Sequence, residues 1–198
     1  MTLSEPIQIL QLITSVFEQL DIPYFISGSL ASSLHGIPRA TQDIDLVADL
    51  KSNRIIPFIK ALETTFYIDA DMIQEAIQRR SSFNMIHLAT MFKADIFIFP
   101  NDPVSILEMK RREAHQLTGE KKDVFFVLSA EDVVLRKLLW FKIGGEVAEK
   151  QWQDILGVLE VQKTKLDTAY LERNAQQMQV IALLKRAFHE AGIEEESL

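Results

Sequence analysis

Residues 24–49 read YFISGSLASSLHGIPRATQDIDLVAD, and the rest of the chain can be read outward from them. Tyr24 to Ser27 is a short apolar run that predicts a strand ending at Gly28-Ser29. A helix is expected from Leu30 to His35, stopping at Gly36. Asp43 to Asp49, DIDLVAD, is the next strand candidate. Alternate side chains of a strand share a face, so Asp43 and Asp45 point the same way with Cα atoms about 7 Å apart. Ile44 and Leu46 take the opposite, core-facing side. Gly28-Ser29 lies at a strand-to-helix junction, where glycine lets the backbone approach a ligand and the helix N-terminus offers free N–H groups to an anion.

Upstream, Ile7, Leu10, Ile13, Phe17 and Leu20 recur at spacings of three and four, which predicts an amphipathic helix over 4–20. Downstream, helices are expected over 53–65, where Pro57 is awkward unless it falls in the first turn, and over 70–80. Phe83 to Thr90 and Phe92 to Phe99 read as an antiparallel hairpin. Asp102-Pro103 is a cap and first-turn pair for a helix across SILEMKRREAH, and Val124 to Leu128 is a last strand. Ser129-Ala130-Glu131-Asp132 resembles a capping box opening a helix to Ile143. Gly144-Gly145 breaks it, and helices over 147–162 and 167–191 follow. The expected fold class is therefore α/β (α+β), a small mixed sheet flanked by helices and followed by a helical C-terminal domain. The expected division is 1–128 and 129–198, with the terminal EEESL frayed.

Composition narrows the function. The 198 residues are 47% hydrophobic and 25% charged, ordinary for a globular protein. Cysteine is absent, which removes thiolate zinc sites and cysteine nucleophiles and suits a reducing cytoplasm. With 21 Lys+Arg against 28 Asp+Glu the net charge is −7, which excludes a uniformly basic nucleic-acid-binding surface. The N-terminal stretch lacks a basic leader region, and no apolar run is long enough to span a membrane.

Two neighbouring carboxylates suit a hard divalent cation, and magnesium commonly takes one or two of them together with substrate phosphates. A third acid is available. Asp95 interrupts the strand KADIFIF, otherwise apolar apart from Lys93. If that strand lies beside DIDLVAD, Asp95 completes a three-acid cluster that can ligate metal and accept the proton of an attacking hydroxyl. A phosphate cradle followed by such acids suits phosphoryl or nucleotidyl transfer.

These residues resemble the nucleotidyltransferase fold of the DNA polymerase β superfamily. The fuller string GSLASSLHGIPRATQDIDL is more similar to its bacterial AbiEii/MenT-type toxin branch, where a Gly-Ser, an Arg-x-Thr and an Asp-x-Asp follow in this order. The helical tail, with SAEDVVLRK and then Gln151-Trp152-Gln153-Asp154-Ile155, is similar to that branch's C-terminal motifs. The resemblance implies that Gly28 and Ser29 hold nucleotide phosphates, that Asp43 and Asp45 bind magnesium and that Asp95 is the third acid. Lys137 and Asp154 match the branch's later Lys and Asp near the nucleotide, although the stretch reads WQDI rather than carrying an Arg-Asp pair. The implied activity moves an NMP from an NTP to an acceptor hydroxyl on a tRNA end, a protein or a small molecule. Two magnesium ions would assist, and a cognate antitoxin is a possible partner.

Each residue also has a plainer reading. Arg39 either neutralises triphosphate or pairs with the acids, and His35 either caps its helix or meets a ligand. Thr41 is a turn or strand-entry residue. Asp95 can be an edge-strand acid paired with Lys93; Lys137 and Asp154 can be solvated helix residues. Lys110-Arg111-Arg112 with Lys121-Lys122 forms a basic cluster, either a solvated face or a guide for a nucleic-acid acceptor. Phe125-Phe126 and Trp140-Phe141 are expected in the core. The rival functions are an antibiotic-modifying nucleotidyltransferase and a non-catalytic nucleotide-binding or antitoxin-like protein.

Overall fold

A computed structural model describes residues 5–41, 43–116 and 124–193. The chain divides into two compact units, Met1–Ser27 with Thr41–Leu128, and Gly28–Ala40 with Ser129–Leu198.

The first unit is built on a sheet. Tyr24–Ile26 forms β1 and Asp43–Ala48 forms β2, antiparallel to each other with Ile26 opposite Leu46. Phe66–Tyr67 is β3, Ser82–His87 is β4 and Lys93–Ile98 is β5; β4 and β5 are the expected antiparallel hairpin. Glu113–Gln116 is β6 and Val124–Val127 is β7. The seven strands run in the order β3-β4-β5-β2-β1-β7-β6. The β2/β5 and β1/β7 pairs are parallel and the others antiparallel, so the sheet is mixed.

Alternation in β2 is clean: Ile44, Leu46 and Ala48 are buried, while Asp43, Asp45 and Val47 are half-buried. In β5, Ala94, Ile96 and Ile98 are buried in the same rhythm. Helices α1 (Glu5–Gln19), α3 (Ile55–Leu62), α4 (Ala70–Arg79) and α5 (Pro103–Arg111) belong to this unit, and α2 (Gly28–His35) belongs to the other. Helix α1 buries Leu10, Ile13 and Phe17, and Phe17 stacks on Phe58 of α3 with ring centroids 5.4 Å apart. Pro57 falls in the first turn of α3, where its missing N–H costs little. Asp102 caps α5 by accepting from the N–H groups of Val104 and Ser105, each at 2.9 Å.

The second unit is helical: α2 with α6 (Ala130–Ile143), α7 (Glu149–Gln162), α8 (Thr168–Gln177) and α9 (Ile181–Glu190). Ser129 caps α6 by accepting from Asp132 N–H, and its hydroxyl donates to the Asp132 carboxylate at 2.8 Å. The other Asp132 oxygen accepts from Tyr170 Oη at 2.6 Å, tying the start of α6 to α8. Gly36 meets Gly157 of α7 so closely that a Cβ there would lie 2.7 Å from backbone atoms of Gly157 and Val158. This contact and the hydrogen bond from Gln162 Nε2 to the His35 carbonyl, 2.7 Å, bind the 28–40 segment to α7. No described helix is long and apolar enough to cross a membrane.

Three local expectations are corrected. The helix expected across SILEMKRREAH ends at Arg111, and Glu113–Gln116 pairs with β7 instead. Backbone pairing with a neighbouring strand outweighs the good helix propensity of Glu113, Ala114 and Gln116. Phe66–Tyr67, for which the sequence carried no expectation, is a two-residue strand beside β4. The helix expected over 167–191 is two helices, because Gln179 takes a left-handed φ of 58° and Val180 N–H closes onto Ala175 O. Trp140 is exposed while Phe141 is buried, since adjacent helical residues point about 100° apart. Lys121-Lys122 and the terminal EEESL lie outside the described residues. Of the remaining basic cluster, Lys110 and Arg111 occupy the last turn of α5, and the Arg112 guanidinium lies 4.7 Å over the Phe126 ring.

Candidate active site

The site residues form two groups, one in each unit.

The first is an acidic face on the sheet. β2 and β5 are parallel neighbours with Asp45 opposite Asp95 and Asp43 opposite Lys93. Strand alternation therefore puts Asp43, Asp45, Lys93 and Asp95 on one face, opposite the buried Ile44, Leu46, Ala94 and Ile96. Asp95 is not an edge-strand acid: β5 is flanked by β2 and β4. It does pair with Lys93, whose Nζ lies 2.7 Å from Asp95 Oδ2. That hydrogen bond raises the Lys93 pKa above its ordinary value; burial opposes the rise, and the charges of Asp95, Asp43 and Asp45 add to it. Thr41, expected as a turn or strand-entry residue, donates its hydroxyl to the Asp43 carboxylate at 3.2 Å. Ser27 N–H donates to the Asp45 carbonyl at 2.9 Å, anchoring the end of β1 beside the acids. The oxygens of the three acids are not gathered within 4.8 Å of one another.

The second group is an ion network in the helical unit. Gly28, with φ of 60°, opens α2 in a backbone conformation that disfavours a side chain, and Ser29 follows. Arg39 forks onto Asp154 of α7, with Nε to Oδ1 at 2.6 Å and Nη2 to Oδ2 at 2.8 Å. The same Nη2 donates to Ser29 Oγ at 2.6 Å. Lys137 of α6 donates to Asp154 Oδ2 at 2.7 Å and to Gln151 Oε1 at 3.4 Å. Ser29, Arg39, Lys137 and Asp154 are thus one connected cluster. Lys137 and Asp154 are not solvated helix residues; their side chains are only 7% and 6% exposed. Burial alone would raise the Asp154 pKa, but the hydrogen bonds and charges of Arg39 and Lys137 outweigh it and hold the carboxyl below its ordinary range.

Sequence reasoning passed over Lys93 as a member of the acidic face, treating it only as a salt-bridge partner. Its position two residues before Asp95 on a strand already put the two on one side. Thr41 and Gln151 stood inside the quoted motifs, but neither was assigned a site role.

No family model matches the chain, and no curated protein matches it in sequence. Among solved structures it is similar to an antigenic nucleotidyltransferase-like protein from Paracoccidioides brasiliensis, with a TM-score of 0.59 and 15% identity over 98% of this chain and 95% of the other. It is also similar to the antibiotic-resistance factor ANT(2'')-Ia, with a TM-score of 0.54 and 15% identity over 93% of this chain and 97% of the other. The crystal structure of that factor in complex with adenylyl-2''-tobramycin gives a TM-score of 0.51 at 12% identity, over 89% and 98% of the two chains. The chain therefore has the nucleotidyltransferase type of fold, with a mixed sheet and a helical C-terminal region.

Proposed function

We propose that this protein is a magnesium-dependent nucleotidyltransferase that moves a nucleoside monophosphate from an NTP to an acceptor hydroxyl. The observation that carries the reading is the β2/β5 register, which sets Asp95 beside Asp45 on the face that also bears Asp43. These are hard oxygen donors of the kind magnesium takes. Asp95 already holds a cation, the Lys93 ammonium. In this reading Asp43, Asp45 and Asp95 would hold two magnesium ions, which would supply charge neutralisation of the phosphates and a lowered acceptor pKa.

In this reading the acceptor oxygen forms a bond to the α-phosphorus as the bond to pyrophosphate breaks, and Asp95 takes the hydroxyl proton. Gly28 and Ser29 contact the phosphates, and Arg39 and Lys137, held by Asp154, supply positive charge to the nucleotide. Within the superfamily, the order of Gly-Ser, Arg-x-Thr and Asp-x-Asp favours the AbiEii/MenT-type branch, with a tRNA end or a protein as acceptor and an antitoxin as partner. A second reading, an antibiotic acceptor, is favoured by the net charge of −7, which suits a polycationic aminoglycoside.

The test is incubation with each labelled NTP, magnesium and, separately, total tRNA, cell lysate, an aminoglycoside or a lincosamide. Label on one acceptor class selects between the readings. Absence of transfer with every NTP, together with absence of magnesium-dependent nucleotide binding, would overturn the enzyme reading and leave the partner-protein alternative.

A further inference from the structure

β2 and β5 set four charged groups at the corners of a square. Asp43 stands opposite Lys93 and Asp45 opposite Asp95, all on one face. Neighbouring strands lie about 4.8 Å apart, and like charges directly opposite each other destabilise a sheet. Lys93 is the cation of the square, with its ammonium 2.7 Å from Asp95 and in the field of Asp43 and Asp45. On its other side Asp95 faces Asn84 of β4, which brings no charge. The Lys93 side chain is 46% exposed and carried on a flexible four-carbon stem, so the ammonium can leave Asp95 without repacking the core.

We propose that Lys93 is a tethered counter-ion: it occupies the cation position of the acidic face in the metal-free protein and yields it when a divalent cation binds. The proposal rests on reading Asp43, Asp45 and Asp95 as metal-binding acids. An ammonium bonded to a carboxylate occupies lone pairs that a metal needs, and it repels a second cation. Lys93 is therefore a positioning residue. It holds the acids together without metal and sets how tightly metal binds.

The test is direct titration of the full chain with Mn2+ in the absence of nucleotide, reading free Mn2+ by electron paramagnetic resonance. Lys93→Met should bind Mn2+ about tenfold more tightly than the parent, because a competing charge within bonding distance is gone. Lys93→Arg should bind like the parent, because the charge is kept. Without metal, Lys93→Met should melt at a lower temperature than the parent, and Mn2+ should raise its Tm further than it raises the parent's. A structural role alone would lower the Tm but leave metal affinity unchanged. If the parent binds Mn2+, loses it in Asp45→Asn, and Lys93→Met binds equally or less tightly, the counter-ion proposal is overturned and the metal reading stands. If neither the parent nor Lys93→Met binds Mn2+ while both are folded by far-ultraviolet circular dichroism, both readings fall.

Discussion

The acidic face and the Asp154 network solve opposite electrostatic problems. On β2 and β5, three carboxylates share one half-exposed face with Lys93. In the helical unit, one buried carboxylate receives both an arginine fork and a lysine. The first arrangement keeps an excess of negative charge where water and counter-ions can reach it. The second encloses an acid that is satisfied on both oxygens. Half-exposed acids in excess suit a cation that comes and goes, whereas a buried and fully paired acid suits a fixed frame for the cations that hold it. The same residue type therefore does two jobs, decided by solvent access and by the count of partners.

The sharpest way to break this contrast is at the acids of the sheet. Asp43→Asn and Asp45→Asn should each lower nucleotidyl transfer about a thousandfold or more, since metal-assisted charge stabilisation is worth several kcal/mol. Their Tm should hold or rise, because a repelling charge is removed. A variant that keeps transfer activity would remove that residue from the metal assignment. The opposite pattern is expected at Asp154. Asp154→Ala leaves the buried Lys137 ammonium without its carboxylate and should cost about 3 kcal/mol of stability in urea unfolding. Adding Lys137→Met should restore part of that loss; no recovery would mean the pair is not the source of the cost.

Gly36→Ala probes the helical unit without touching a charge. The new Cβ would press on the Gly157 backbone, and about 2 kcal/mol of destabilisation is expected from a lowered urea midpoint. Ser29→Ala should give a smaller change, a severalfold rise in the NTP KM with kcat little altered, measured by initial rates. An unchanged KM would take Ser29 out of the nucleotide contacts. The gentlest test is pH. Because the folded Asp154 carboxyl sits below its ordinary 3.8, the unfolded chain binds the extra proton first. The stabilisation from this group is complete well above pH 3.8 and is lost as pH falls through the folded value. The stability gap between the parent and Asp154→Asn should therefore narrow in acid and stay flat near neutrality.

Much of the fold was legible because it is locally encoded. The alternation in DIDLVA, the caps at Asp102 and Ser129 and the break at Gly144-Gly145 each act within a few residues. The errors came where a distant partner overrode local preference. Glu113–Gln116 is made mostly of good helix formers yet pairs with β7, and Val180, 1% exposed, is drawn into the core as the chain turns at Gln179. The candidate site divides in the same way. Asp43 and Asp45 share a face by strand period alone. The placement of Asp95 beside Asp45 depends on β2 pairing with β5 in a particular register. Arg39 meets Asp154 across 115 residues of chain, a pairing that neither segment encodes locally.

The sequence by itself determined which side chains share a strand face and where several helices begin, because those follow from backbone period and from caps a few residues long. Only the tertiary structure decided which strand lies beside which, that Lys93 stands among the acids, and that Asp154 is buried between an arginine and a lysine. Pairing and burial are properties of segments far apart in the chain, and their energies appear only when those segments meet.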